Sequence, residues 1–151
     1  REQVPLAVVD LGKKFIVNEA EQLFKCVEPA DPPILPVITG LDYGDLTAEG
    51  KPESAVYKAS LAVVKTGRKI QHLVPGMNMR EVVVDRDRGI GVRGFDNIGE
   101  IRLGFENYYN KFNKLKTILQ DWENRGKGRR IAKIFFSSPE RVVVQSATED
   151  S

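Results

Sequence analysis

The chain has 151 residues, 41% hydrophobic and 29% charged, and its 23 Lys and Arg against 21 Asp and Glu give a formal net charge of +2. That apolar share supports a packed core and excludes general disorder, while the length suits one compact domain with room for a fragment of a neighbour. Near balance of charge argues against nucleic acid as the main partner, since binders of nucleic acid carry a basic excess or stripe.

Residues 4–9 are apolar apart from Pro5 and read as a strand in which Pro5 removes one ladder donor. This run begins abruptly, as a piece of a longer protein would. Residues 14–17 form a second strand; Asn18, Glu19, Ala20 and Glu21 turn the chain, and 22–26 complete a small hairpin. Pro29, Pro32, Pro33 and Pro36 then exclude a regular ladder. Residues 35–40 place a short apolar segment before a glycine turn, and the polar stretch 42–51 reads as a surface loop.

Pro52 suits the opening of a helix, where its missing N–H is harmless. Val56, Ala59, Val63 and Ile70 recur at near-helical spacing, and Pro75-Gly76 provide the stop. Three short strands follow at 80–86, 89–95 and 98–103, turned at Asp87-Arg88-Gly89 and at Asp96-Asn97. In the second helix Tyr108, Phe112, Leu115, Leu119 and Trp122 alternate i+4 and i+3 steps; Asn107 is the expected N-cap and Gly126 lies past the end. This aromatic stripe reads as packing against a sheet. Arg125, Lys127, Arg129 and Arg130 read as a solvated loop after the helix. Two β-branched runs, 131–136 and 141–147, joined by Ser137-Ser138-Pro139-Glu140, read as a closing hairpin. The expected class is α+β: a mainly antiparallel β-sheet with two helices packed on one face and a C-terminal hairpin ending in an edge strand.

Chemical signals are weak. Gly89-Ile90-Gly91-Val92-Arg93-Gly94 fits GxGxxG, but a dinucleotide site needs that motif to open a helix, and here a turn and another strand follow. Turn and bulge geometry explains these glycines instead. Asp85 and Asp87 alternate with Arg86 and Arg88, which supply counter-charge without a metal. His72 is the only histidine and Cys26 the only cysteine, so neither a zinc set nor a histidine-based nucleophile relay can be assembled. No membrane-length apolar stretch is present. No catalytic residue, cofactor or metal is expected. The feature left is the last strand. Arg141, Val142, Val143, Val144, Gln145, Ser146 and Ala147 are expected to offer N–H and C=O groups on one unpaired flank, with Ile134 and Phe136 giving apolar support behind them.

Several segments, in order, carry a family resemblance. They are Arg1-Glu2-Gln3-Val4-Pro5-Leu6-Ala7, Phe15-Ile16-Val17-Asn18, Leu35-Pro36-Val37-Ile38-Thr39-Gly40 and Ile101-Arg102-Leu103-Gly104. A helix with Lys114-Leu115 and Leu119 follows, and then the hairpin from Ile131 to Val144. The chain resembles the extracytoplasmic part of the bacterial cell-division family FtsQ/DivIB. That resemblance implies a bitopic inner-membrane protein with a cytoplasmic tail, one membrane helix, and POTRA and β domains in the periplasm. Residues 1–10 would then be the end of POTRA or the joining strand, and 11–151 the β domain. It implies a non-enzymatic divisome scaffold that binds FtsB and FtsL and helps control septal cell-wall synthesis. It also implies that a strand of FtsB adds to the segment matching 141–147, with Arg88 aligned to a family arginine that contacts acidic partner residues. The alternative is a POTRA-type chaperoning or translocation module of an outer-membrane assembly protein, which also uses strand addition. An enzyme of unknown type is the third reading, and a polar pocket with clustered titratable groups would be its sign.

Overall fold

A computed structural model describes residues 4–29, 35–70, 79–94, 98–124, 131–138 and 141–146. The strands are β1 (Pro5–Asp10), β2 (Lys14–Asn18), β3 (Leu23–Cys26), β4 (Val37–Thr39), β5 (Glu81–Asp85), β6 (Gly89–Arg93), β7 (Ile98–Gly104), β8 (Ile131–Ser138) and β9 (Arg141–Ser146). Helix α1 spans Ala55–Ile70 and α2 spans Tyr108–Asn124. All nine strands form one sheet in the order β3-β2-β1-β4-β5-β6-β7-β8-β9. The expected α+β class with a mainly antiparallel sheet is what forms. Three neighbour pairs are nonetheless parallel: β1 with β4, β4 with β5, and β7 with β8. The last two are the pairs bridged by α1 and α2, as parallel neighbours require a crossover.

Register shows how the sequence builds its core. A row of facing residues runs Val9, Ile38, Val82, Val92, Ile101, Ile134, Val144 from β1 across to β9. Every member is apolar, and all but Val144 are buried. With a period of two, the same alternation puts Val84, Ile90, Leu103 and Phe136 on this face too. Tyr57, Leu61 and Val64 of α1 and Phe112 and Leu115 of α2 join the same core cluster. The neighbouring row, Val83, Gly91, Arg102, Phe135, Val143, lies on the opposite face.

Several expectations change. Pro52 does not open α1; it forms an isolated bridge with Leu46, and Ser54 Oγ accepts the Tyr57 N–H at 3.2 Å ahead of the helix. Of the expected series on α1, Val63 and Ile70 are buried, but Val56 and Ala59 are only half-buried, and Tyr57, Leu61 and Val64 join the buried face instead. The i, i+4, i+7 series centred on Tyr57 buries more apolar area and so sets the rotation. Asn107 does sit at the N-cap position before α2, its carbonyl accepting the Lys111 N–H at 3.0 Å, but with φ 61° rather than the usual extended backbone. The stretch 42–51 is not simply surface loop. Tyr43–Asp45 form a 3-10 turn, and Asp45 is buried. His72, Pro75-Gly76, Asp96-Asn97, the cluster at 125–130, Pro139-Glu140 and Ala147 lie outside the described residues. No described helix is long and apolar enough to cross a membrane.

Candidate docking edge

The sheet has two ends, and they are finished differently. At the β3 end, the Leu23 N–H donates to Gly50 O at 3.1 Å and Gln22 Nε2 donates to Glu49 O at 3.2 Å, so the 47–51 loop is tied to the start of that strand. At the other end β9 pairs only with β8 among the described strands. Alternate main-chain N–H and C=O groups of a strand point to opposite sides, so β9 directs about half of its own away from β8.

Position at the edge follows from the anchoring of β8. Ile131, Ile134 and Phe136 are buried, and β8 lies parallel to β7 through Ile98↔Ile131 and Ile101↔Ile134. The hairpin then sets β9 antiparallel to β8, with Phe135 facing Val143 and Ile134 facing Val144. Val142 and Val144 pack against the core cluster, whereas Val143 is 52% exposed on the opposite face. Behind it Lys133 Nζ sits 5.5 Å from the Phe135 ring centroid, a cation–π distance.

Charges on the helix-free face are largely matched to one another. Arg93 reaches Glu81 at 3.6 Å and Glu100 at 3.8 Å, and Arg102 lies 3.3 Å from Glu100. Asp85 accepts N–H bonds from Asp87 at 2.9 Å and Arg88 at 3.0 Å. Those two backbone bonds hold its carboxyl below the ordinary 3.8. Asp85 is thus a turn-former, not half of a catalytic carboxylate pair. The GxGxxG stretch lies in β6, and β7 follows it. Gly89 has φ 97°, and a Cβ there would lie 2.4 Å from the Gly104 carbonyl carbon. Close backbone approach explains this glycine. No group of three or more His, Cys, Asp or Glu fit for a metal occurs among the described residues. An open groove of about 440 Å³ beside α1 is lined by Leu6, Glu19, Lys65, Arg68 and Lys69. Lys65 pairs with Glu21 at 2.6 Å and Arg68 with Glu19 at 3.6 Å, so its cations are mostly engaged.

The structure therefore brings Arg141, Val142, Val143, Val144, Gln145 and Ser146 together on one strand. It does not bring Arg88 beside them. Arg88 lies in the β5–β6 turn, at the sheet end where β9 begins but three strand spacings away, roughly 14 Å. Sequence reading missed three buried charges: Glu100, paired with Arg93 and Arg102 as above, and also Asp45 and Lys111. Asp45 accepts bonds from both Arg86 terminal nitrogens, at 3.1 and 2.6 Å. Its signal was Asp42-x-x-Asp45, a reciprocal capping pair whose members bond each other's backbone. Lys111 is buried within the apolar stripe of α2 and donates to Leu103 O. Burial pushes its pKa down. Its signal was position: three residues after Tyr108 and four before Leu115, it falls on the apolar face of the helix.

Two comparisons bear on identity. The family model described as cell division protein FtsQ/DivIB, C-terminal, matches residues 7–134, which ends inside β8 and leaves β9 beyond the match. The cell division protein FtsQ of Anaeromyxobacter sp. (strain K) is 30% identical over 125 residues, covering 83% of this chain and 42% of that protein. The chain thus spans less than half the length of this relative. With residues 7–134 matched, the chain belongs to the FtsQ/DivIB C-terminal family of cell-division proteins, in general non-enzymatic components of the divisome.

Proposed function

We propose that this domain is a divisome scaffold that captures a segment of FtsB, in complex with FtsL, as an added strand on β9. The parent protein would be held in the inner membrane by a single helix and would help control septal cell-wall synthesis from the periplasm. Residues 1–10 would join an upstream POTRA domain to the β domain of residues 11–151. One observation carries this reading: β9 ends the sheet with a flank that no described strand occupies, while at the other end the start of β3 is bonded to the 47–51 loop. A six-residue strand turns about six main-chain groups outward. At about 0.5–1.5 kcal/mol net per bond, these give a modest sum from which the cost of association must be subtracted. Side chains beside the edge must therefore add affinity, and the exposed Val143 and half-buried Val142 and Val144 are placed to do so.

The test is calorimetry of an FtsB segment with Val143→Pro and, separately, Val144→Pro. Adjacent residues alternate in direction, so one of the two prolines removes an outward N–H. The expected result is at least about a tenfold loss of affinity in that variant, with an unchanged circular dichroism spectrum. Full affinity in both folded variants would defeat the proposal.

A further inference from the structure

The edge that would take a partner also matches itself. Natural edge strands are protected by lysine, proline or a covering loop. From Val142 to Gln145 there is no charge, no proline and no glycine, and Val143 presents a β-branched side chain to water. Laid antiparallel on its own copy about a two-fold axis through Val143, the strand places Val143 opposite Val143. Val142 then meets Val144, and Arg141 meets Gln145. No like charges face each other, and each of the three kinds of pairing is apolar with apolar or cation with neutral amide. A two-fold axis perpendicular to the sheet keeps the helices of both copies on one face and the charged lattice of both on the other.

We infer that, when no division partner is present, β9 pairs with β9 of a second copy of this chain, and that this homodimer hides the docking edge. The inference rests on the open flank used in the proposed function, but its occupant is the chain itself. Dimer and partner complex are then mutually exclusive. Raising the protein concentration weakens apparent partner binding.

Sedimentation velocity of the 151-residue chain, from micromolar to submillimolar concentration, tests it. The wild type is expected to show a monomer–dimer equilibrium. Val143→Lys and Val143→Glu each place like charges at the axis and are expected to weaken the dimer about tenfold. An equimolar mixture of the two variants is expected to regain it as a heterodimer, because Lys then faces Glu. A wild type that stays monomeric throughout overturns the inference, as do variants that dimerise like the wild type. A mixture that remains monomeric also overturns it, since the axis would not pass through Val143. The FtsB titration separates the two readings. A monomeric chain that still binds FtsB loses only the homodimer, and a dimer that FtsB never displaces removes the proposed function.

Discussion

Replacing Asp45 with asparagine removes a charge and little volume. The Asp45 side chain is 3% exposed, and its oxygens accept from Arg86 Nη2 at 2.6 Å, Arg86 Nη1 at 3.1 Å and the Asp42 N–H at 2.8 Å. Its main-chain oxygen accepts the N–H groups of Glu53 and Ser54 at 2.9 and 3.2 Å, so one residue fixes both the β5–β6 turn and the approach to α1. Hydrogen bonds to a charged group contribute about 1.5–3 kcal/mol each in favourable settings. The Arg86 side chain is 49% exposed, so water recovers part of its share. About 2–3 kcal/mol is therefore expected for Asp45→Asn at neutral pH, a fall in melting temperature of roughly 5–10 °C for a chain of this size.

The pH dependence gives the same pair a second test. Burial pushes the Asp45 pKa up, but the bonds from Arg86, the Asp42 backbone and Ser54 outweigh it and hold the group below its ordinary 3.8. A folded-state pKa below the unfolded one stabilises the protein above 3.8, and that stabilisation is lost as the pH falls through the lower native value. Urea unfolding of wild type and variant should then differ most near neutrality, and the gap should narrow as the pH falls below 3.8. A gap of equal size at both ends, or no coupling in a cycle with Arg86→Gln, would refute the assignment of the stabilisation to this ion pair.

Gly89→Ala and Gly12→Ala form a matched pair. Both positions have φ +97°, but a Cβ at Gly12 meets nothing within 4 Å, whereas one at Gly89 comes within 2.4 Å of the Gly104 backbone. Thermal denaturation should show a loss of about 1–2 kcal/mol for Gly12→Ala, from backbone strain alone, and clearly more for Gly89→Ala. Equal losses would contradict the β6–β7 contact. Burial, with Glu106 nearby, pushes the Tyr108 pKa up to about 12. A folded value above the unfolded 10 means that stability contributed by Tyr108 is present below pH 10 and is lost as the pH rises toward 12. Phenolate absorbance compared between wild type and Tyr108→Phe should show one late-titrating group; early titration of Tyr108 would count against its part-buried bond to Gly104 O.

The strands were legible because their β-branched residues alternate, and periodicity is a local property. Parallel pairing of β7 with β8 was not, since alternation in each strand says nothing about which strand lies beside it. The buried face of α1 was legible at Val63 and Ile70 but not in its first turns, where Val56 and Ala59 fit a helical period, yet Tyr57 has more area to bury. Asp45 was hidden because its partner, Arg86, lies 41 positions further along the chain. The valine-rich run at 142–144 could be singled out from sequence as a strand after a turn. Its place at the rim, however, depends on the order of the eight other strands, and that order emerges only in three dimensions. Arg88 shows the same gap: the resemblance linked it to the partner that β9 would take, while the sheet order sets it three strands from β9.

The α2 crossover has a consequence for assembly in time. As the polypeptide emerges from its N-terminal side, residues 5–104 can complete seven strands and the first helix before the eighth and ninth exist. The rim thus arrives last, laid down by a long-range parallel junction of the kind that closes slowly. A molecule whose interior is incomplete would lack the proposed docking edge, so under that proposal capture of a partner is reserved for finished copies.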